Sequence, residues 1–413
     1  MILRSIPKNI TKKFILINMR RCMNLQSATM LQALPESKTL SILNKVTLLK
    51  QEGHDIINLA GGDPDFNTPY MIIEEAEKAM KLGMTHYVSS NGIPELRNEI
   101  AHKLKTENGV NYDPSQIIVT AGGKPALYVA LKSIINPGDE VLVINPAWVS
   151  FEPLITMVGG HAVSVDLNPN DHFKLTKELL DAACTERTKA IIVNNPNNPT
   201  GRVLTIEEFH NLRDVVIEKD LIIIADEVYE KLVYGIHQFT SLASIPGLEN
   251  RTVTVQSFSK GHAMTGWRLG YLALPNELVP AASNIQGHLA TCTPAFIQKA
   301  GVVALKEAKE EVEYMRSIYD TRINQVVTHL NQIPNVNCPH PEGAFYVFPE
   351  IKFRNFDSIE LANYLLDEAK VAVTPGIAFG SSYLHNIRIS CAMSEGELEE
   401  ALRRIEKALT KIT

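Results

Sequence analysis

The stretch Ser257-Phe-Ser-Lys260-Gly-His-Ala-Met-Thr-Gly-Trp-Arg268-Leu-Gly-Tyr271 follows the β-branched run Thr252–Val255. It places a lysine just after a predicted strand, with hydroxyl residues before it and an arginine eight positions after it. An amine can add to a carbonyl, while a hydroxyl and a planar guanidinium suit phosphate oxygens. Lys260 is therefore a candidate for forming an imine with a phosphorylated aldehyde, with Ser257 and Arg268 holding the phosphate. On these residues alone, a strand followed by a basic turn with a solvated lysine explains the stretch equally well.

Length and composition favour an enzyme of small metabolites. The chain has 413 residues, of which 45% are hydrophobic and 21% charged, so it is long enough for two domains and is neither disordered nor fibrous in character. A formal net charge of -6 gives no footprint for nucleic acid, and no apolar run is long enough for a membrane span. The cysteines show no C-x-x-C or metal-binding spacing, which predicts a reducing compartment and no metal. They are Cys22, Cys184, Cys292, Cys338 and Cys391.

The N-terminus differs from the rest of the chain. It carries six basic residues and no acidic residue before Glu36, which is typical of an organellar presequence. A true start at Met19 or Met23, or a disordered tail, would look the same. We therefore place residues 1–26 outside the fold and predict a cytoplasmic protein, or one of an organellar matrix if this extension is a presequence. The tail is too short for a helix-turn-helix domain, which argues against a DNA-binding regulator.

Seven short aliphatic or β-branched runs, mostly separated by helical patterns, predict an α/β layer with a mainly parallel sheet. The runs lie at 117–119, 140–144, 162–165, 190–193, 221–225, 253–255 and 269–273. In such sheets, ligands bind beyond the carboxyl ends of the strands. Beyond Ala300, one long predicted helix through Ile323 leads to shorter strands and a closing helix, which predicts a smaller α+β domain. We assign 65–319 to the large domain, and 27–64 with 320–413 to the small one.

Several candidate ligand contacts follow the predicted strands. Gly123, ahead of a helix predicted to start at Pro125, would offer backbone amides to an anion. Trp148 can stack on a flat heteroaromatic ring, although a core position is the more common use of a tryptophan. Asn198 lies in a loop rich in asparagine and proline and offers an amide to a ligand oxygen.

Charged and aromatic candidates complete the set. Asp226 ends a buried run and needs a positive partner, such as a protonated pyridine nitrogen. The alternative, a cap on a following helix, explains Tyr229 less well. Arg388 lies between two isoleucines, where it either alternates outward to solvent or forms a fork for a carboxylate. Gly62 allows close backbone approach to a ligand or simply forms a turn. Tyr87 either reaches a neighbouring site or packs under its own loop.

These ordered motifs resemble class I, fold-type I pyridoxal-phosphate aminotransferases, and within them the bacterial-type aspartate aminotransferases, over about residues 27–413. The resemblance implies the fold type I architecture, with a mainly parallel seven-stranded sheet in the large domain, and pyridoxal 5'-phosphate as the cofactor. It implies that Lys260 forms the imine and that Asp226 keeps the pyridine nitrogen protonated. Trp148 then stacks on the ring, while Asn198 and Tyr229 bond its phenolic oxygen.

The resemblance also implies a phosphate site and a dimer. The backbone amides of Gly123 and Lys124, together with the side chains of Ser257 and Arg268, match the residues that hold the phosphate. Tyr87 matches the tyrosine that reaches the phosphate of the other subunit's cofactor. A homodimer with shared active sites is therefore expected.

The implied reaction moves an amino group from an L-amino acid to a 2-oxo acid in a ping-pong cycle, with the Lys260 amine transferring the substrate Cα proton. Arg388 matches the clamp for the α-carboxylate, with Gly62, Trp148 and Asn198 also near the substrate. Lys124 resembles a lysine that binds a distal carboxylate in part of the bacterial subfamily; a solvated lysine at a helix start is the alternative. We predict L-aspartate and 2-oxoglutarate as substrates. The alternatives are aromatic, prephenate-type or neutral amino acids, or a lyase of the same fold.

Overall fold

The computed structural model describes residues 38–353 and 356–412. The helices are α1 Lys38–Gln51, α2 Tyr70–Lys81, α3 Pro94–Asn108, α4 Gly123–Ile134, α5 Phe151–Val158, α6 Lys177–Ala183, α7 Ile206–Glu218, α8 Val279–Ala290, α9 Ala295–Glu307, α10 Lys309–Leu330, α11 Ser358–Tyr364 and α12 Glu395–Thr410. The strands are β1 Ile57–Asn58, β2 Ile117–Thr120, β3 Glu140–Asn145, β4 His161–Asp166, β5 Thr188–Asn194, β6 Ile222–Asp226, β7 Thr252–Ser257, β8 Gly270–Ala273, β9 Val336–Asn337, β10 Tyr346–Val347, β11 Glu350–Ile351, β12 Val371–Ala372, β13 Thr374–Pro375 and β14 Ile387–Ser390. Short 3-10 turns lie at Pro114–Gln116, Pro169–Asp171, Leu242–Ser244, Asn276–Leu278 and Gly376–Phe379, and a π-helical turn lies at Leu365–Ala369.

A seven-stranded sheet forms the centre of the molecule. Its order is β2-β8-β7-β6-β5-β3-β4, and only β8 runs antiparallel to its neighbours. Each of the seven predicted runs forms one of these strands, so the mainly parallel sheet is confirmed. The runs are apolar almost throughout because both faces of the sheet are covered, as is usual for parallel sheets.

Helices cover the sheet on both faces, following the two-residue alternation of each strand. In β5, Ile192 packs with α4, α5 and α8 on one face, while Ile191 and Val193 pack with α6 and α7 on the other. Helices α2, α3 and α9 form a further cluster with the edge strand β2 and its neighbour β8. This double layer leaves the strand ends free to carry polar side chains.

The C-terminal part is built from short strands and helices. Strands β10, β14 and β13 form an antiparallel sheet, which packs with α10 and α12 in a separate apolar cluster. The early strand β1 pairs in parallel with β12, through Ile57 and Val371, so the start of the described chain joins this part. The described residues belong to one compact unit. The boundaries 65–319, 27–64 and 320–413 therefore stay predictions.

The single long helix predicted beyond Ala300 is wrong. Helix α9 ends at Glu307 and α10 begins at Lys309, because Ala308 takes φ -90° and ψ 25°, outside the helical region. Ala308 is fully buried. Alanine, lysine and glutamate are all good helix formers, so no local signal marks this break and packing decides it.

The basic extension at residues 1–26 lies outside the described residues. Within the part of the chain that the structure describes, no helix is both long and apolar enough to span a bilayer, and no group of His, Cys, Asp and Glu is arranged to hold a metal ion.

Candidate active site

A cavity of about 400 Å³ opens at the carboxyl ends of the central strands. Its lining includes eleven of the twelve predicted site residues, namely Gly62, Gly123, Lys124, Trp148, Asn198, Asp226, Tyr229, Ser257, Lys260, Arg268 and Arg388. The others in its lining are Ala60, Gly61, Asp63, Leu127, Val149, Asn194, Val228, Ser259, Thr265 and Tyr346. Residues from both ends of the sequence thus meet in one site, while the roles assigned to them stay predictions.

Tyr87 is the predicted residue that does not line the cavity. Its side chain is 85% exposed, so it does not pack under its own loop. A role at the site of another subunit stays a prediction.

Lys260 follows β7 by three residues and places its amine in the cavity. Its Nζ donates a hydrogen bond to the carbonyl oxygen of Gly62 at 2.5 Å. Burial lowers the pKa of Lys260 to about 8, with Arg388 and Arg268 lowering it further and Asp63 opposing them. A lysine with such a pKa has a substantial neutral fraction near neutral pH, which is the form that attacks a carbonyl.

Asp226 ends β6 and is 3% exposed. One carboxylate oxygen accepts a long hydrogen bond of 3.5 Å from the amide of Val228. Burial raises the pKa of Asp226 to about 7, against the opposing charge of Lys260. The alternative of a helix cap is wrong, because residues 228–231 form a turn rather than a helix. Because burial disfavours the ionised form of Asp226, a cation facing this carboxylate would stabilise that form.

Arg388 is buried, so the alternative in which it alternates outward to solvent is wrong. Its Nη1 donates to Asn198 Oδ1 at 3.0 Å, and its Nη2 donates to the carbonyl oxygen of Ala60 at 2.6 Å and to Thr374 Oγ1 at 3.4 Å. The strand β14 is buried on both faces, so the arginine points into the cavity rather than to water. Among the described residues Arg388 has no ion-pair partner, and its Nε has no hydrogen bond. A buried cation without an anion favours an anionic ligand.

The start of α4 and the turn after β7 form a seat for an anion. Gly122 takes φ +102°, and a Cβ there would lie 2.3 Å from Arg268 Nη2, so the backbone and the guanidinium approach closely. Helix α4 begins at Gly123, two residues before the predicted start, and its first two residues line the cavity. The first amides of a helix have no partner within the helix and can bind an anion. The Arg268 Nη1 donates to the carbonyl oxygen of Thr265 at 2.8 Å. The hydroxyl of Ser257 lies on the same wall.

Trp148 and Lys124 form another wall of the cavity. The indole is half-buried at the end of the loop after β3, so it is not a core tryptophan, although its edge packs on Phe151. The Nζ of Lys124 lies 4.9 Å from the centre of the indole ring. Burial lowers the pKa of Lys124, and the charge of Arg268 lowers it further. The lysine therefore lines the cavity, although its side chain remains exposed to solvent.

Tyr346 is the main site residue that the sequence analysis missed. It is 1% exposed, and its hydroxyl lies 3.0 Å from the hydroxyl of Tyr229. The Arg388 guanidinium lies 4.4 Å above its ring. Its neighbours are apolar, so the run 343–348 looked like an ordinary core strand. The one available signal was a hydroxyl-bearing aromatic in that run.

The comparisons with known proteins agree with this geometry. The family model for aminotransferases of class I and II matches residues 54–405. The chain belongs to this family. An aspartate aminotransferase of Bacillus subtilis is 41% identical over 392 residues, covering 93% of this chain and 99% of that protein. An aromatic-amino-acid aminotransferase of Thermococcus litoralis is 41% identical over 374 residues, covering 89% and 95%. The crystal structure of the aspartate aminotransferase from Rhizobium meliloti matches with a TM-score of 0.91 at 35% identity, covering 94% of this chain and 100% of that one.

The aminotransferase therefore has the predicted α/β fold class, and it is an enzyme that exchanges an amino group between amino acids and 2-oxo acids. This family is known to use pyridoxal phosphate. The residues of the cavity fit such a group. A buried acid that forms no ion pair with the described residues, an anion seat where glycine allows close approach, and a lysine with a lowered pKa are the features that a phosphorylated pyridine aldehyde requires.

Proposed function

We propose that this aminotransferase uses pyridoxal 5'-phosphate to transfer the amino group of L-aspartate to 2-oxoglutarate in a ping-pong cycle. The observation that carries the proposal is the meeting of Lys260, Asp226 and Arg388 in one cavity, each able to serve a different part of the reaction. The aspartate aminotransferases among the relatives, aligned over most of the chain, support the choice of substrate.

The cofactor would be held by groups already in place. Arg268, Ser257 and the first amides of α4 would bind the phosphate, and Asp226 would pair with the ring nitrogen. Asn198 and Tyr229 would offer donors to the phenolic oxygen, while Trp148 would stack on the ring. When bound, pyridoxal phosphate supplies a sink for the electrons of the substrate Cα–H bond.

Lys260 would carry the proton. Its amine would first bond to the cofactor and, once released by the amino acid, would take the proton from the substrate Cα and later return one. The hydrogen bond to Gly62 holds the amine in the cavity, and the lowered pKa of Lys260 favours its neutral, basic form. Asp226 would remain ionised opposite the ring cation, because their attraction offsets the cost of burial.

The charges of the cavity support a dicarboxylate substrate. Its cationic side chains are Lys124, Lys260, Arg268 and Arg388. If Lys260 bonds the cofactor, Arg268 its phosphate and Arg388 the α-carboxylate, Lys124 is left for a second carboxylate. Arg388 suits the first carboxylate because its planar fork can donate two parallel hydrogen bonds.

A donor panel tests the substrate. With 2-oxoglutarate as acceptor, kcat/KM should be highest for L-aspartate among acidic, aromatic and neutral L-amino acids. Lys124→Ala should lower kcat/KM for aspartate roughly 10- to 100-fold, since a charge-assisted hydrogen bond is lost, while the value for alanine should change less than about threefold. A higher kcat/KM for aromatic donors would keep the reaction class but replace aspartate. Release of pyruvate together with ammonia from L-serine or L-cysteine over many turnovers, without an acceptor, would indicate a lyase.

The pKa of Lys260 predicts how cofactor attachment depends on pH. Because this pKa lies at about 8 instead of its ordinary 10.5, the neutral amine predominates above about pH 8. In protein stripped of cofactor, the rate of bond formation with added pyridoxal phosphate should rise nearly tenfold per pH unit below that value and level off above it. Stopped-flow absorbance gives the rate, with a free lysine derivative as the control. A rate that climbs towards pH 10, as for the control, would contradict a lowered pKa.

We propose further that the enzyme works as a homodimer. Tyr87 is exposed and does not line the cavity of its own chain, and Tyr70 and Leu82 are also largely exposed. The match of Tyr87 to the tyrosine that, in the resembled family, reaches the other subunit's cofactor supports a contact between subunits in this region. Sedimentation of the purified enzyme gives the oligomeric state.

A further inference from the structure

Tyr346 stands at the back of the cavity, fixed by contacts on three sides. It lies in β10, opposite Ser390 of β14. The guanidinium of Arg388 covers its ring at 4.4 Å, and the ring of Tyr229 meets it edge to face at 5.9 Å between centres. A Cβ on Gly62 would come within 2.5 Å of its hydroxyl oxygen, so the glycine makes room for that hydroxyl. Tyr346 therefore has a single position available.

The two tyrosine hydroxyls are buried and hydrogen-bonded to each other. Tyr229 and Tyr346 are 3% and 1% exposed, and their oxygens lie 3.0 Å apart. Burial raises the pKa of each phenol, so both keep their protons. Two hydroxyls share one hydrogen bond, and one of the two protons is left to point elsewhere. If Tyr346 donates, the free proton is that of Tyr229, which lines the cavity.

We propose that Tyr346 is a positioning residue that donates its phenolic hydrogen to Tyr229 and thereby aims the Tyr229 hydroxyl at the cofactor's phenolic oxygen. The proposal rests on the proposed function, since it requires pyridoxal phosphate in the cavity. A donor that itself accepts a hydrogen bond is polarised and becomes a stronger donor. Loss of the Tyr346 hydroxyl therefore makes Tyr229 a weaker hydrogen-bond donor. It leaves every charged side chain of the cavity in place.

The test is Tyr346→Phe, which keeps the ring beneath Arg388 and removes only the hydroxyl. A hydrogen bond donated to the phenolic oxygen stabilises its anion and so favours loss of the neighbouring proton on the lysine–cofactor bond. Tyr346→Phe weakens this hydrogen bond, so the pKa read from the visible absorption band should rise by about half a pH unit or more. This shift corresponds to part of the free energy that one hydrogen bond contributes. Tyr383→Phe is the matched control, because that buried tyrosine donates to the carbonyl oxygen of Leu167 at 2.9 Å, away from the cavity. Its band should titrate as in the wild type.

A double-mutant cycle tests whether Tyr346 acts through Tyr229. In a Tyr229→Phe background, adding Tyr346→Phe should leave the pKa of the band unchanged, because the group it acts on is gone. Equal shifts in both backgrounds, or no shift for Tyr346→Phe alone, would overturn the inference while leaving the proposed function intact. A wild-type protein that shows no visible band with pyridoxal phosphate would overturn both. Thermal unfolding of each variant shows that it is folded.

Discussion

Replacement of Lys260 by alanine should abolish transamination, with a fall in kcat of at least about 10⁴-fold, because the variant loses both the nucleophile and the proton carrier of the reaction. It should also lose the visible absorption band that the lysine–cofactor bond gives. The geometric basis is the Lys260 amine at the Gly62 carbonyl, which lies in the turn after β7 and within the cavity. Absorbance spectra and a coupled assay of purified protein with added pyridoxal phosphate measure both effects.

Two comparison variants separate chemistry from folding. Lys299→Ala removes a lysine that pairs with Glu95 away from the cavity, and it should keep both band and activity. Lys260→Arg keeps a positive charge but offers no amine that is neutral near pH 8, so it should be as inactive as the alanine variant. Full activity of Lys260→Ala would remove the basis of the mechanism.

Arg388→Leu should lower kcat/KM for every amino acid by about 10²- to 10⁴-fold, the range for truncating one partner of a buried, hydrogen-bonded charge pair. The loss should be independent of the side chain, because the α-carboxylate is common to all donors. The visible band should remain, since Arg388 contacts Asn198, Ala60 and Thr374 rather than the lysine. Steady-state kinetics with aspartate and alanine measure the effect.

An amine without a carboxylate provides the internal control for Arg388. The slow half-reaction of this amine can be monitored through the loss of the visible band. Its rate should be similar in the wild type and in Arg388→Leu. Arg404→Leu, which breaks a surface pair with Asp55, should behave as the wild type with all substrates. A loss of equal size for the amine would mean that Arg388 supports the fold of the site rather than the carboxylate.

The central sheet was predictable from the sequence because buried parallel strands are uninterrupted apolar runs, bounded by turn residues and separated by helical patterns. The residues that follow those strands were predictable for the same reason, since topology alone gathers the carboxyl ends at one edge. Lys260 and Asp226 belong to this group. Each is a charged residue at or just after the end of an apolar run, where the interior of a buried strand would not place one.

Other features depend on packing between distant segments, which periodicity does not report. Alternation along β14 favoured an outward Arg388, but both faces of that strand are buried, and the cavity lies on one of them. Tyr346 gained its position from Tyr229 and Gly62, residues more than a hundred positions away in the chain. Ala308 interrupts two helices although its sequence favours their continuation. In each case a tertiary contact outweighs the local preference.

The most direct test of the account is an absorbance titration of the purified enzyme, loaded with pyridoxal phosphate, first with L-aspartate and then with 2-oxoglutarate. We expect aspartate to remove the visible band in proportion to the enzyme present, with release of oxaloacetate, and 2-oxoglutarate to restore the band. A band that is unchanged by aspartate and lost with another amino acid would contradict the assigned substrate. A protein that forms no band at all would contradict the role of Lys260.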